Sequence, residues 1–458
     1  MKKIPHLLLL TALLLFVALP ASSAKQKLVI AYVCSWTDLR LPDPSLMTNI
    51  NYAFGHVNKT FDGCDIQNEP FLRKVVALKK INPKLKVQLS VGGWTSGNFS
   101  EMAADARCRK SFANDCARIV REYGLDGIDI DWEYPTSNEA GISCSPNDTK
   151  NFTLLMRDLR KALGKDKLLT AATIAYARYI DFKACIKYMD FINIMAYDVA
   201  NPPQHHTTLF RSPLSGKITT AEAHIAAGVP KDKICLGMPL YGRGDHSNPV
   251  LDKYMKTGYT AGLYTEHWDS VGQVPYLTDW SGQLVWAADN PRSIAAKCQY
   301  ILDEDLLGGM YWEVTEDDAQ GDLMQTVYLS LMRNGKATIP HKRILLITDG
   351  RHADDVAFFT RLGDRRGYDV TVTTPADSYA KGSLSHYHLI CNLGPDPGQW
   401  PADAKADFEK YIDQAQGSYL ATDADTTAQW KWYNQFIRKK EEKRARSVIY
   451  KRHPGLGY

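Results

Sequence analysis

From residue 28 to about 336, short apolar runs rich in Val, Ile, Leu and aromatic residues alternate with longer stretches whose apolar positions recur every three to four residues. The first pattern suits buried strands and the second amphipathic helices, and their regular succession predicts parallel βα units. Eight strands are expected, at Leu28–Trp36, Asn49–Val57, Lys86–Trp94, Gly127–Tyr134, Leu168–Ile174, Phe191–Val199, Ile234–Gly242 and Gly309–Val314. Helices are clearest at Glu69–Ile81, Met102–Tyr123, Lys150–Leu163, Ala221–Ala227, Arg292–Leu302 and Asp322–Arg333. Eight such units over residues 25–336 predict an α/β fold, a (β/α)8 TIM barrel, with a short insertion between strands seven and eight around Asp245–Leu284.

The helical pattern stops near Ala337, and residues 337–342 read as a linker. A second α/β pattern follows: a strand from Arg343, a helix at Asp354–Arg365, strands at Tyr368–Thr373 and His386–Asn392, a helix at Ala404–Ala415 and a last strand at Ser418–Ala421. Residues 343–458 are therefore expected to form a small doubly wound accessory module. It lacks the glycine-rich phosphate loops of nucleotide-binding folds, and no glycine elbow surrounds Cys391, which reads as a buried thiol. The charge run Arg438–Arg444, near Trp430, Trp432 and Tyr433, has the pattern of a solvated helix face, with surface attachment as the alternative.

Residues 1–24 resemble a cleavable signal peptide, with Lys2 and Lys3 before the apolar Leu7–Leu19 and a small-residue site at Ala21–Ala24. That apolar core is too short to span a bilayer, and no later stretch reads as a transmembrane anchor, so export as a secreted or periplasmic protein is expected. Without residues 1–24 the formal charge falls from +4 to +2, which offers no electrostatic case for nucleic acid. Ten Trp and twenty-four Tyr supply flat amphipathic rings that suit sugar faces as well as cores. The nine cysteines contain no Cys-x-x-Cys pair, and Cys108 and Cys116 lie in one expected helix, about 12 Å apart and too far to bond. Cys34, Cys235 and Cys391 sit in apolar runs as core residues, and no disulfide framework is expected.

The candidate chemistry is concentrated in Asp126-Gly-Ile-Asp-Ile-Asp-Trp-Glu-Tyr-Pro135. Alternation along a strand sends Asp129, Asp131 and Glu133 to one face, and Ile130 and Trp132 to the other. Three carboxylates beside apolar neighbours repel one another and lose water, so at least one is expected to hold its proton near neutral pH. A divalent-metal site or a solvated edge strand is the competing reading, but metal clusters usually recruit His or a turn geometry lacking here, and no cofactor is expected. Other strands end in aromatic or polar residues where a barrel gathers its working groups. These are Tyr32 and Trp36, Tyr52 and Phe54, Ser90-Val91-Gly92-Gly93-Trp94, Met195-Ala196-Tyr197-Asp198, Tyr241-Gly242-Arg243 and Tyr311-Trp312-Glu313.

The Asp126-x-x-Asp129-x-Asp131-x-Glu133 run, Ser90-x-Gly92-Gly93, Met195-x-Tyr197-Asp198 and Trp312 resemble the chitinases of glycoside hydrolase family 18, over nearly all of residues 28–336. The resemblance implies a retaining glycosidase acting on chitin or N-acetylglucosamine oligosaccharides. It makes Glu133 the general acid, Asp131 the residue that holds the substrate's acetamido group, and Asp129 its charge-sharing neighbour, supported by Ser90 and Tyr32. Tyr197 would donate to the acetamide oxygen, Asp198 would touch the same sugar, and Trp312 would floor subsite −1. Phe54, Trp94, Met195, Tyr241 and Arg243 complete the expected binding set, with Gly92, Gly93 and Asp126 in support. The insertion is shorter than the α+β domain of the family's deep-cleft members, which argues against a tunnel. Rival readings are an endo-β-N-acetylglucosaminidase trimming N-glycans with the same acids, and an inert lectin on the same barrel. The lectin reading is disfavoured because such relatives typically replace the acid at position 133.

Overall fold

The computed structural model describes residues 26–421 apart from 38–40, 216–219, 245–263, 318–320, 341, 367, 375–383, 385–386, 395–399 and 414–417. The expected signal peptide and the Arg438–Arg444 run with its aromatic neighbours lie outside the described residues, as does the first part of the insertion.

Eight parallel strands close into a barrel: β1 (Leu28–Cys34), β2 (Asn49–Val57), β4 (Lys86–Gly92), β5 (Gly127–Asp131), β6 (Leu168–Ile174), β7 (Phe191–Met195), β8 (Ile234–Pro239) and β13 (Gly308–Trp312). Each pairs with the next, β13 returns to β1, and β3 (Cys64–Ile66) adds antiparallel to β2. Strands covered on both faces read as unbroken apolar runs, and all six residues of β8 are buried. Starts agree with the expected strands to within one residue, but most ends fall two to four residues early. Trp36, Trp94, Tyr134, Val199 and Gly242 belong to rim loops instead.

The helices are α1 (Glu69–Ala77), α2 (Phe99–Ala104), α3 (Ala106–Tyr123), α4 (Asp148–Leu163), α5 (Phe182–Cys185), α6 (Thr220–Ala226), α7 (Pro291–Asp303) and α8 (Asp322–Tyr328). The single helix expected at Met102–Tyr123 is broken at Asp105. This residue takes an extended conformation, and its carboxylate accepts from the Arg107 and Cys108 amides at 2.7 and 3.2 Å, capping α3. Beyond α8 the chain widens into a π-turn at Leu329–Asn334. Outward-facing Trp132 stacks on Phe99 at 5.2 Å and lies 6.3 Å from Phe152 of α4, so the non-acidic face of the acid row packs against the helices.

The insertion forms an antiparallel sheet of β10 (Thr265–Asp269), β11 (Val274–Thr278) and β12 (Leu284–Ala287), joined to β9 (Arg243–Gly244) at the barrel rim. Further along, β14 (Arg343–Thr348), β15 (Asp369–Thr373), β16 (Leu389–Leu393) and β17 (Ser418–Ala421) make a parallel sheet in the order β15-β14-β16-β17, with helices α9 (Ala353–Arg366) and α10 (Ala402–Asp413). Cys391 is buried in that sheet beside Ile344, Leu346 and Leu393. All nine cysteines are free, and Cys34 and Cys235 are core residues. Among the described residues no helix is long and apolar enough to cross a membrane.

Candidate active site

The acid row sits where β5 ends, because its neighbour β4 finishes in Gly92 and is followed at once by Gly93. Gly92 has φ +132°, and a Cβ there would collide with the Asp131 carbonyl oxygen. Gly93 has φ +94°, and its Cβ would stand 2.5 Å from the Phe54 ring. Only glycine permits both the positive φ and the approach. Gly92→Ala is expected to destabilise the fold by about 1–3 kcal/mol from backbone strain alone, read as a lower urea midpoint at unchanged slope. An unchanged midpoint would show that β4 can retreat from Asp131.

Asp129 points into the barrel and is fully buried. Four side chains from four strands donate to it: Tyr32 and Ser90, each at 2.8 Å, Thr170 at 2.6 Å and Asn193 at 3.2 Å. Burial raises its carboxyl, and these hydrogen bonds offset part of the rise. Asp131 is also buried, and its Oδ1 has no hydrogen-bond partner among the described residues. Burial first, then the charges of Glu133 and Asp129, lift its carboxyl well above the usual range. Glu133, past the strand end, is 9% exposed. Burial pushes its carboxyl up to about 7, with Asp198 adding to the rise and a hydrogen bond with Tyr134 opposing it. The row therefore holds Glu133 at the mouth, raised to about 7, Asp131 behind it, also raised, and deepest Asp129, caged by four donors.

The rim residues gather around this row. Tyr197 is buried, and its hydroxyl lies 3.8 Å from the Met310 sulfur. Asp198 adopts a left-handed backbone (φ 57°) and accepts a forked pair of hydrogen bonds from Arg243 at 2.8 and 2.7 Å. Burial would raise the Asp198 carboxyl, but the hydrogen bonds from His206 and Arg243 outweigh it and hold it below the usual carboxylate range. Trp312 stacks on Phe54 at 5.7 Å and leans on Tyr32 at 5.4 Å, with Trp36 stacked on the same Phe54 at 5.7 Å. Tyr241 meets Tyr197 edge-on at 6.1 Å, and Met195 packs against the same aromatic cluster. Trp94 is 55% exposed and Trp36 51% exposed, which leaves ring faces open to solvent at the mouth.

One expected site residue is not brought here. Asp126 precedes β5 and lies at the opposite, N-terminal end of the barrel, where its carboxylate accepts from Lys79 at 2.7 Å, Lys86 at 3.4 Å and the Val87 amide at 2.9 Å. These contacts staple β4 to β5 beneath the core, so Asp126 supports the fold and not the acid row. Thr170 and Asn193 were not picked out by motif reading, and neither was His206. The first two carry a signal nonetheless, since each is a polar residue inside a mostly apolar strand and must find a buried partner. Among the described residues no three His, Cys, Asp or Glu side chains are placed to hold a metal ion.

The sequence profile of "Glycosyl hydrolases family 18" matches residues 28–317. Chitinase A1 of Niallia circulans is 34% identical over 313 residues, covering 57% of this chain and 45% of that protein. A probable endochitinase of Caenorhabditis elegans is 32% identical over 333 residues, covering 60% of this chain and 52% of its own length. The chain thus spans about half the length of these curated relatives. Among solved structures, a glycoside hydrolase family 18 N-acetylglucosaminidase from Paenibacillus barengoltzii superposes with a TM-score of 0.61 at 32% identity, covering 67% of this chain and 100% of that one.

Proposed function

We propose, from the premise that this chain belongs to family 18 of the glycosyl hydrolases, that it cleaves β-1,4 bonds between N-acetylglucosamine units of chitin or its oligomers with retention. The observation that carries this reading is the pairing of Glu133, a nearly buried carboxyl at the mouth, with a buried Asp131 that keeps one oxygen unpartnered beside it. In the proposed reaction Glu133 protonates the glycosidic oxygen as the bond to the anomeric carbon breaks. The substrate's acetamide oxygen attacks that carbon, its N–H is held by Asp131, and an oxazolinium ion forms. Tyr197 donates to the acetamide oxygen and orients it. Glu133, now a carboxylate, takes a proton from water as the water opens the ring, and the configuration is restored. Substrate-assisted enzymes of this kind stand outside the two-carboxylate rule, because the substrate brings its own nucleophile.

Asp129, held by Tyr32 and Ser90, stabilises whichever charge state Asp131 takes during the cycle. Trp312, backed by Phe54, gives a flat floor for the sugar at the point of cleavage, and Asp198 with Arg243 reaches the same ring. Trp94 offers a stacking face further out. The basic and apolar leader at residues 1–24 supports export of the mature chain.

A second reading, cleavage between the two core N-acetylglucosamines of an N-glycan, employs the same acid row. Chitotetraose and a denatured high-mannose glycoprotein should be compared side by side, with proton NMR of the fresh product. The proposal expects release from chitotetraose with the β anomer appearing first. Initial α product would contradict the mechanism, and release from the glycoprotein alone would transfer the reading to N-glycans.

A further inference from the structure

His206 lies wholly buried in the loop after β7, behind the cleft. Its Nδ1 is 3.3 Å from an Asp198 carboxylate oxygen and 3.4 Å from the Asp198 backbone nitrogen. One nitrogen cannot serve both: a protonated Nδ1 donates to the carboxylate, whereas a bare one accepts from the amide. The other ring nitrogen, Nε2, is buried with no hydrogen-bond partner among the described residues. Either tautomer leaves one N–H without its acceptor, the Asp198 amide when Nδ1 is protonated and Nε2–H when it is not, so bond strength decides, and N–H···O⁻ is the stronger of the two bonds on offer. The proton therefore belongs on Nδ1, aimed at Asp198.

The surroundings disfavour a positive charge on this ring. His205 stacks on it at 5.8 Å and the Tyr241 ring stands 5.5 Å away. Behind them Lys297 pairs with Asp289 at 2.5 Å and donates to Thr207 at 2.7 Å, and Ser293 donates to Asp289 at 2.6 Å, so these buried charges compensate each other. Burial lowers the His206 imidazolium more than Asp198 and Asp289 raise it, with Lys297 adding to the fall. Asp198 itself has its side chain 41% exposed, opening on the cleft, and Arg243, His206 and the Tyr241 hydroxyl hold it from behind.

We propose that His206 is a positioning residue of the reaction: its Nδ1–H holds the Asp198 carboxylate in the Arg243 fork, so that the negative charge of Asp198 stays beside Glu133. This rests on the reading of Glu133 as the proton donor. Glu133 faces Asp131, Asp198, Tyr134 and Tyr197, and of these Asp198 is the one whose place His206 sets. Without the hydrogen bond the carboxylate swings toward solvent, and the acid gives up its proton at lower pH.

Two measurements test this. In ¹⁵N-histidine-labelled wild type, the neutral His206 ring at pH 8 is expected as the Nδ1–H tautomer, and the Nε2–H tautomer would overturn the proposal. In His206→Phe, the alkaline limb of kcat/KM on chitotetraose should move to lower pH by about one unit, the low end of what a neighbouring charge does to a carboxyl. His206→Gln, whose amide can still donate, should restore it. A folded Phe variant with the wild-type profile would overturn the proposal, and if that variant does not fold the tautomer decides alone. Failure of the underlying reading looks different: wild type would not cleave the oligomer, or its alkaline limb would persist in Glu133→Gln.

Discussion

Replacing Glu133 by Gln is expected to leave binding of N-acetylglucosamine oligomers near wild type while kcat falls at least about a hundredfold, or about 2.7 kcal/mol on the barrier. The amide has the same shape and keeps the rim contacts, so the ground state loses little. What disappears is the proton that the leaving oxygen needs. Because burial and Asp198 hold this carboxyl up at about 7, the wild-type acid is protonated below that pH and ionised above it. The rate should therefore fall as pH rises through about 7, and the residual activity of the Gln variant should lack that limb. Isothermal titration with an oligomer, beside the pH profile of kcat/KM, separates the two effects. Near-normal turnover in the variant would rule out the assignment.

Removing the acetyl groups from the substrate should have a larger effect still. A glucosamine oligomer carries an ammonium where the acetamide was, so it offers no carbonyl oxygen to attack the anomeric carbon. Well-oriented intramolecular groups act with effective molarities of about 10⁵–10⁸ M, and losing such a group should slow cleavage by at least about a thousandfold. The ammonium would also meet Asp131 as an ion pair, which keeps the oligomer bound but unreactive. Reducing-end assays on fully acetylated and fully deacetylated tetramers decide the matter. Equal hydrolysis of both would mean that a protein carboxylate is the nucleophile.

The barrel was legible because short apolar runs and helix-period stretches follow one another in turn, and β2 and β6 fall where those runs place them, at Asn49–Val57 and Leu168–Ile174. Strand ends were not, for a physical reason: Trp36, Trp94 and Tyr134 continue the apolar pattern although their rings serve the cleft, and hydropathy does not separate a rim ring from a buried one. The break at Asp105 was carried by a single capping side chain inside an amphipathic stretch. Parity along β5 would have separated Asp126 from the others, since an even-numbered residue cannot share a face with 129, 131 and 133. The partners of Asp129 lie on four strands scattered from Tyr32 to Asn193, so only folding reveals that they converge. His206 had no local signal at all, because its meaning depends on Asp198 adopting a left-handed turn.

The two acids at either end of the row differ in what the barrel asks of them. Asp129 ties together β1, β4, β6 and β7 through Tyr32, Ser90, Thr170 and Asn193, so a lineage that discards it must rebuild the middle of its own scaffold. Glu133 stands beyond the last ladder pair and carries no comparable duty. A descendant of this chain could therefore surrender cutting by one substitution at 133 and inherit, with its architecture intact, a protein that only holds sugars. The opposite route, losing the keystone and keeping the blade, is closed.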